Sequence, residues 1–331
     1  MSHNAVQVTA FHLQPENYAA GLAQCCKAAA DPLRLDILRL LKEDSYSVQE
    51  LCALLQLAQP KLSHHLKVLT GAGLITRRRE GNNLFYRRPL ITAEQPYADF
   101  TDSLYRHIDA QPLSREQQRR ITEVQTSRAA ASHEFFARHA AEFSGQQALI
   151  VELDHYRDNM DALIAHLPIQ SRVLEVGPGE GEYLLQLAQH FDHIIALDNS
   201  PEMLERAKNH SHSVHNIDFV LGDPERAIAL KLQADLIVCN MVLHHLSSPA
   251  TFFQHSAQLL TAGGHLLLAE LCQHDQDWVA DSCGDLWQGF SPEQIRHWAG
   301  NAGFGQSREI FLGLRNGFQV QLHLYQLQQG I

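Results

Sequence analysis

One short stretch carries the strongest chemical signal in the chain. Glu175, Gly177, Gly179 and Gly181 fall in VLEVGPGEGEY, where an apolar run ends in glycines and a helical pattern begins. Glycines let a backbone turn sharply and let a ligand approach it closely. A second apolar run, HIIALD, ends on Asp198. An acid at that place accepts both hydroxyls of a ribose, as in dinucleotide sites. Further along, Gly222-Asp223, Asn240 and the pair His244-His245 follow other apolar runs. Either histidine can serve as a general base. Either can equally pack its loop or help hold a cofactor.

A second kind of chemistry lies near the start. In the helical segment after Pro60, Leu62, Leu66 and Leu69 share one face, while Lys61, Ser63, His64 and Lys67 fall on the other. A helix that packs by one face and offers short polar and basic groups on the other suits a DNA major groove. Cations then concentrate as Arg77, Arg78, Arg79, Arg87 and Arg88, opposed by Glu80. Cations in a hairpin can pair with phosphates and release counterions. A solvated basic strand is the plainer reading of three arginines alone. Their position directly after this helix favours double-stranded DNA as a partner.

Bulk properties limit these readings. The chain has 331 residues and a formal net charge of −11, so any contact with DNA must come from a local basic patch. Its length suits two domains. Neither the start of the chain nor any later stretch reads as a signal peptide or a membrane span, and a cytoplasmic location is expected. The 6 cysteines form no CxxC pair, and the 21 histidines show no spacing such as HExxH, so no metal site is expected. Cys25-Cys26 can form a thiol sensor or simply pack in a helix.

These groups need a scaffold. Asn17 to Lys42 is helical in pattern, with Asp31-Pro32 as a cap-plus-proline start. Ser47 and Glu50 form a capping box for a helix to Leu55, and another helix runs from Gln59 to Leu69. Leu74–Arg79 and Leu84–Arg88 read as strands joined by the turn Glu80-Gly81-Asn82-Asn83. Three helices and a hairpin outline a winged helix. Gln95–Ala110 is an amphipathic helix, and Ser114–Phe143 a long polar one opened by Ser114 and Gln117. Beyond Ser171, apolar runs at Arg172–Val176, His193–Leu197, Asp235–Cys239 and His265–Glu270 alternate with helical patterns, which predicts βαβ units and a parallel sheet.

At these residues two families come into view. KAAADPLRLDILRLL and QPKLSHHLKVLTGAGLITRRREGNNLFYRR resemble the ArsR-type winged-helix repressors, over about Gln24 to Ile108. The resemblance implies a homodimer on a palindromic operator, with repression relieved by a signal. Arsenic-sensing members carry ELCxC, whereas this chain has Glu50-Leu51-Cys52-Ala53-Leu54 and lacks the second thiol. From about Tyr156 onward the chain resembles the class I S-adenosylmethionine-dependent methyltransferases, supported by ADLIVCNMVLHHL and LLTAGGHLLLAE. That resemblance implies that Glu175, Gly177, Gly179 and Gly181 hold the methionine end of S-adenosyl-L-methionine or S-adenosyl-L-homocysteine. It places Asp198 and Asn199 on the ribose, Asp223 on the adenine and Asn240 in the site lining, with His244 as the candidate base. Asn240-Met241-Val242-Leu243 lacks the Pro-Pro-aromatic run of DNA adenine or cytosine-N4 methylases, and no Pro-Cys nucleophile pair appears.

The expected architecture is α/β and multidomain. It has a winged helix-turn-helix module over 1–110, a helical connector over 111–155 and a Rossmann-like seven-stranded methyltransferase fold over 156–331. The expected function is a DNA-binding regulator with an S-adenosyl effector; the alternative is an active small-molecule methyltransferase carrying a DNA module. HDQDWVADSCGDLWQGFSPEQI, with Asp275, Asp277, Asp281, Asp285, Trp278 and Trp287, reads either as a substrate lid with a general base or as a cap over the ligand or a partner subunit.

Overall fold

The computed structural model describes residues 18–81, 83–139, 143–167 and 171–328. Asn17 and Asn82, which the sequence places in a helix and a turn, lie outside them. The chain divides into two compact units. The first runs to Glu123 apart from residues 80–82, and the second takes those three residues and Val124 onward.

The first unit begins with α1 (Tyr18–Ala29) and α2 (Pro32–Leu40). Asp31 separates them, capping α2 through the Arg34 N–H with Pro32 at the first helical position. Next come β1 (Tyr46–Ser47), α3 (Val48–Leu55), α4 (Gln59–Gly71), β2 (Thr76–Glu80), β3 (Asn83–Arg87) and α5 (Ala98–Asp109). The Ser47–Glu50 capping box on α3 is present in both directions. Leu38, Leu51, Leu54, Leu62, Leu66 and Leu69 are fully buried.

The hairpin strand begins two residues later than its apolar start at Leu74 suggests. Gly73 adopts φ +72°, and the Leu74 N–H bonds back to Leu69 O at 3.0 Å, so Leu74 closes the exit of α4. The strand order is β1-β3-β2, with Tyr46 opposite Tyr86. The two-residue β1 is too short to give a periodic signal.

The helix α6 (Arg115–His139) carries residues of both units. Ser114 and Gln117 form the expected reciprocal cap at its start. The second unit continues with α7 (Phe143–Ile150), α8 (Arg157–Ile164), β4 (Arg172–Val176), α9 (Glu182–His190), β5 (His193–Asp198), α10 (Pro201–His210), β6 (Ile217–Leu221) and α11 (Pro224–Ala229). It ends with β7 (Ala234–Asn240), α12 (Pro249–Leu259), β8 (Leu260–Leu271), α13 (Trp278–Cys283), α14 (Pro292–Asn301), β9 (Phe304–Gly313) and β10 (Gln319–Leu327).

The seven strands pair in the order β6-β5-β4-β7-β8-β10-β9. The first five are parallel, and β10 runs antiparallel to both its neighbours. Helices cover both faces of such a sheet, so β4, β5 and β7 read as nearly continuous apolar runs. α10, α11, α12 and α14 begin with one signal: Ser200-Pro201, Asp223-Pro224, Ser248-Pro249 and Ser291-Pro292. In each case the capping oxygen accepts the N–H three residues on. The strand order reverses between β4 and β7, and the crevice outside the carboxyl ends of the strands at such a switch point is where ligands bind in open α/β sheets.

Candidate functional site

The crevice at that switch point opens into a cavity of about 660 Å3, well within the usual size of a small-molecule site. The ends of four strands meet there. Gly177 and Gly179 follow β4, Asp198 and Asn199 close β5, Asp223 follows β6 and Asn240 ends β7; all six line the cavity. Glu175, Gly181 and His244 do not line it. Glu175 lies beneath the glycine loop and is 1% exposed.

Backbone conformation explains the glycines. Gly177 has φ +65°, and a Cβ there would come within 2.6 Å of a Val242 methyl. Gly179 has φ +59°, and a Cβ on it would meet nothing within 4 Å, so this backbone stands open to the cavity. Gly181 turns directly into α9.

The electrostatics suit a ligand with a cationic end and a ribose. Burial pushes the Glu175 carboxyl up to about 8, and its Oε2 is buried without a hydrogen-bond partner. Burial likewise raises Asp198 to about 6, against the Ser200 N–H that donates to it at 2.8 Å. Asn240 Oδ1 accepts the Tyr156 hydroxyl at 2.8 Å. Asp223 spends one oxygen on capping α11, through the Arg226 N–H at 2.8 Å.

The histidine pair divides. His245 lines the cavity, and burial together with the neighbouring His244 holds its pKa well below the usual histidine range. His244 turns away into the protein. Its Nδ1 lies 2.6 Å from Glu270 Oε1, and Glu270 also accepts the His244 and Leu271 N–H groups. Burial opposes the charge on His244, but Glu270 and Asp285 outweigh it and hold its pKa up at about 9.

Asp285 comes from the late acidic segment. The Leu286 and Trp287 N–H groups bond to His244 O, and Trp287 Nε1 donates to Leu246 O. The segment is thus pinned to the loop after β7, with Asp285 buried against both histidines. Asp277 accepts Gln288 Nε2, while the side chain of Asp281 lies outside the described residues. Spacing along the chain gave no hint of this three-residue group, because Asp285 arrives from a distant loop. Only its place in the acidic segment singled it out.

In the first unit, Lys61, Ser63, His64 and Lys67 are exposed along α4. Arg77 and Arg79 are exposed on β2; Arg78 and Arg87 are half-buried. Arg88 departs from the expected basic hairpin. Its guanidinium makes a two-pronged bond to Asp109, at 2.7 and 2.9 Å, and donates to Leu38 O. It also lies over the Tyr105 ring, 4.3 Å from the centroid. Arg88 therefore fastens the strand exit to α2 and α5 and leaves the hairpin's positive surface to its neighbours.

Two family models match the chain. Residues 116–305 match a methyltransferase domain, and residues 31–77 match the bacterial regulatory proteins of the arsR family. The chain belongs to the methyltransferase-domain family and carries an arsR-type DNA-binding segment ahead of it.

Among curated relatives, the biofilm growth-associated repressor of Agrobacterium fabrum is 39% identical over 90 residues, which is 27% of this chain and 74% of that one. The malonyl-[acyl-carrier protein] O-methyltransferase of Marinomonas sp. is 30% identical over 142 residues, 42% of this chain and 51% of that one. The chain thus spans about half the length of that methyltransferase. Among solved structures, the N-methyltransferase NodS of Bradyrhizobium japonicum, in complex with S-adenosyl-L-homocysteine, superposes with a TM-score of 0.47 at 17% identity, covering 60% of this chain and 99% of that one. A methyltransferase domain takes S-adenosyl-L-methionine as donor and leaves S-adenosyl-L-homocysteine. The residues of the cavity fit such a ligand: a glycine backbone open to it, an acid at the end of β5, and an unpartnered buried carboxylate oxygen below.

Proposed function

We propose that the chain is a transcriptional repressor that binds operator DNA as a homodimer and answers to an S-adenosyl ligand in its methyltransferase-like domain. The observation that carries this reading is the coexistence in one chain of an exposed polar and basic face on α4 with a complete nucleoside-type crevice. Metal sensing through the winged helix has little support, since Cys52 stands without the second thiol of the arsenic-type motif. Gly177 and Gly179 would hold the methionine end, with Glu175 buried behind them and Gly181 turning the loop into α9; Asp198 and Asn199 would hold the ribose, Asp223 the adenine, and Asn240 the wall. We divide the chain into a DNA-binding domain over 1–110, a connector over 111–155 and a ligand domain over 156–331. Among the described residues no helix is long and apolar enough to cross a membrane. Work on DNA in a bacterial-type regulator suits the cytoplasm.

An effector must bind two states of its receptor differently. α6 is a fitting element for this. Gln117 and Arg120 near its start bond within the first unit, to Arg39 and to Leu54 O. Ser132 and Phe136 near its end line the cavity.

Isothermal titration of the full chain tests the ligand. Both S-adenosyl compounds are expected to bind at one site per chain, and absence of binding by either would refute the reading. A second reading, methyl transfer to a small molecule, is favoured by His245, a neutral imidazole in the cavity wall. Methyl transfer is largely a matter of positioning and needs few dedicated groups. Release of S-adenosyl-L-homocysteine on incubation with cell extract would support it.

The DNA face makes a separate prediction. Lys61→Ala or His64→Ala on α4 should abolish preference for the operator over random DNA. Arg77→Ala should weaken binding to both alike and make its salt dependence shallower by about one unit of slope. Fluorescence anisotropy across a salt series reads both. Wild-type behaviour of all three variants would displace the interface from α4 and the hairpin.

A further inference from the structure

Asp285 faces His244 and His245 at long range, but neither carboxylate oxygen has a hydrogen-bond partner among the described residues. Its side chain is 0% exposed. A buried carboxylate without donors is a costly arrangement, relieved by pairing or by a bound cation. Two imidazole nitrogens face it. His244 Nε2 and His245 Nδ1 each lie 3.8 Å from Asp285 Oδ1, and His245 Nδ1 also lies 3.4 Å from Gly284 O, a contact it would give up on binding an ion. The 3.8 Å separation is too long for a hydrogen bond. It is close to the separation of two ligands on one ion, since bonds of about 2.1 Å in a tetrahedral site hold ligand atoms about 3.4 Å apart. The three ligand atoms all lie within 4.8 Å of one another.

The surroundings agree. His244, His245, Asp285 and Cys283 line a small space of about 10 Å3 beside the large cavity. Such a space holds about one ion or one water. His244 also has the support expected of a ligand. Its Nδ1 lies 2.6 Å from Glu270, whose carboxylate is fixed in turn by two backbone N–H groups. With Nδ1 directed to Glu270, Nε2 is the nitrogen that faces Asp285, and an ion bound there would displace its proton. Metal-bound histidines are oriented by a carboxylate in this way.

We propose that His244, His245 and Asp285 form a binding site for one divalent transition-metal ion of the zinc or ferrous class, with Glu270 as the positioning residue. Two imidazoles and one carboxylate select such ions over magnesium or calcium, which prefer all-oxygen shells. Three protein ligands leave a coordination position for water or a substrate oxygen. His245 and Met241 line both the small space and the large cavity. The ion therefore sits one layer of side chains from the S-adenosyl crevice, where it can polarise a methyl acceptor or brace the loop after β7. The site does not depend on whether the S-adenosyl ligand acts as effector or as donor.

The test uses the full chain, stripped with a chelator and titrated with Zn2+ against a chromophoric indicator. One Zn2+ per chain is expected, bound tightly enough to compete with an indicator of micromolar affinity. Asp285→Asn should weaken binding at least a hundredfold, and Glu270→Gln about ten- to a hundredfold. Retained S-adenosyl-L-homocysteine binding would show that both variants are folded. Absence of a stoichiometric Zn2+ in the wild type, or wild-type affinity in Asp285→Asn, would overturn the site. Should Asp285→Asn fail to fold, the visible spectrum of the Co2+-loaded wild type decides. Intense bands of a low-coordinate ion support the site, and the weak spectrum of octahedral Co2+ refutes it.

Discussion

Replacing Glu175 by Gln is expected to weaken S-adenosyl-L-homocysteine binding about a hundredfold or more while making the free protein more stable. Glu175 sits at the end of β4, fully buried, with Oε2 unpartnered. Its carboxyl is pushed up to about 8 from an ordinary value of 4.5. Removing one member of a desolvated charge pair costs about 2–5 kcal/mol of binding, and the α-ammonium of the ligand would be the other member.

The same burial acts on stability with the opposite sign. A carboxyl whose folded pKa lies above its unfolded value binds more protons when folded. Its contribution is present below about pH 4.5 and is lost as pH rises toward 8, and the loss by pH 7 amounts to about 3 kcal/mol. Gln carries no such slope. Thermal melts of the free wild type should therefore fall from pH 5 to 8 more steeply than those of the variant, with the variant several degrees higher at pH 7. Ligand affinity of the wild type should rise through the same interval and level off near pH 8, because the ionised carboxylate is the form that binds a cation. Equal affinity of the two proteins at pH 8 would remove Glu175 from the site.

The second large effect concerns the first unit. Asp109→Ala should destabilise it by about 2–4 kcal/mol. Arg88 is held by both oxygens of Asp109, and their side chains are 8% and 19% exposed. Breaking a buried pair from one side costs about 3–5 kcal/mol. The partial exposure of Asp109 and the remaining bond to Leu38 O reduce that figure. For a unit of this size the midpoint should fall by about 10–20 °C. Arg77→Ala, at an exposed position on the neighbouring strand, should stay within about 0.5 kcal/mol of wild type. Chemical denaturation of the two variants checks the contrast. A melt of Asp109→Ala indistinguishable from wild type would mean that Arg88 is not structural.

Arg88 also shows where sequence reasoning stops. Arg87 and Arg88 are neighbours of one type, and nothing local tells which one an acid on α5 will claim. The elements with strong local signals were legible. β4 falls on the residues expected, the capping boxes at Ser47 and Ser114 form, and the glycine loop and Asp198 converge on one cavity. Each depends on chemistry within a few residues. β9 and β10 were not read, because β10 hides polar residues at buried positions. Gln321 and His323 are fully buried there, satisfied by Leu271 O, Phe290 O and each other. Their polarity masks the strand. Asp285 was visible only as one acid among several. Its meeting with His244 and His245 depends on how the late segment docks, which no spacing records.

One measurement bears most directly on the proposed coupling: operator affinity of the full chain with and without saturating S-adenosyl-L-homocysteine, at fixed salt, for wild type and Glu175→Gln. The account predicts that the ligand shifts wild-type affinity about 5–150-fold, the usual range for linked sites. It predicts the same factor in ligand affinity when operator is present, and no shift for Glu175→Gln at ligand concentrations that saturate only the wild type. Operator affinity unchanged by ligand in the wild type, with ligand demonstrably bound, would contradict it and leave a methyltransferase domain joined to an independent DNA-binding module.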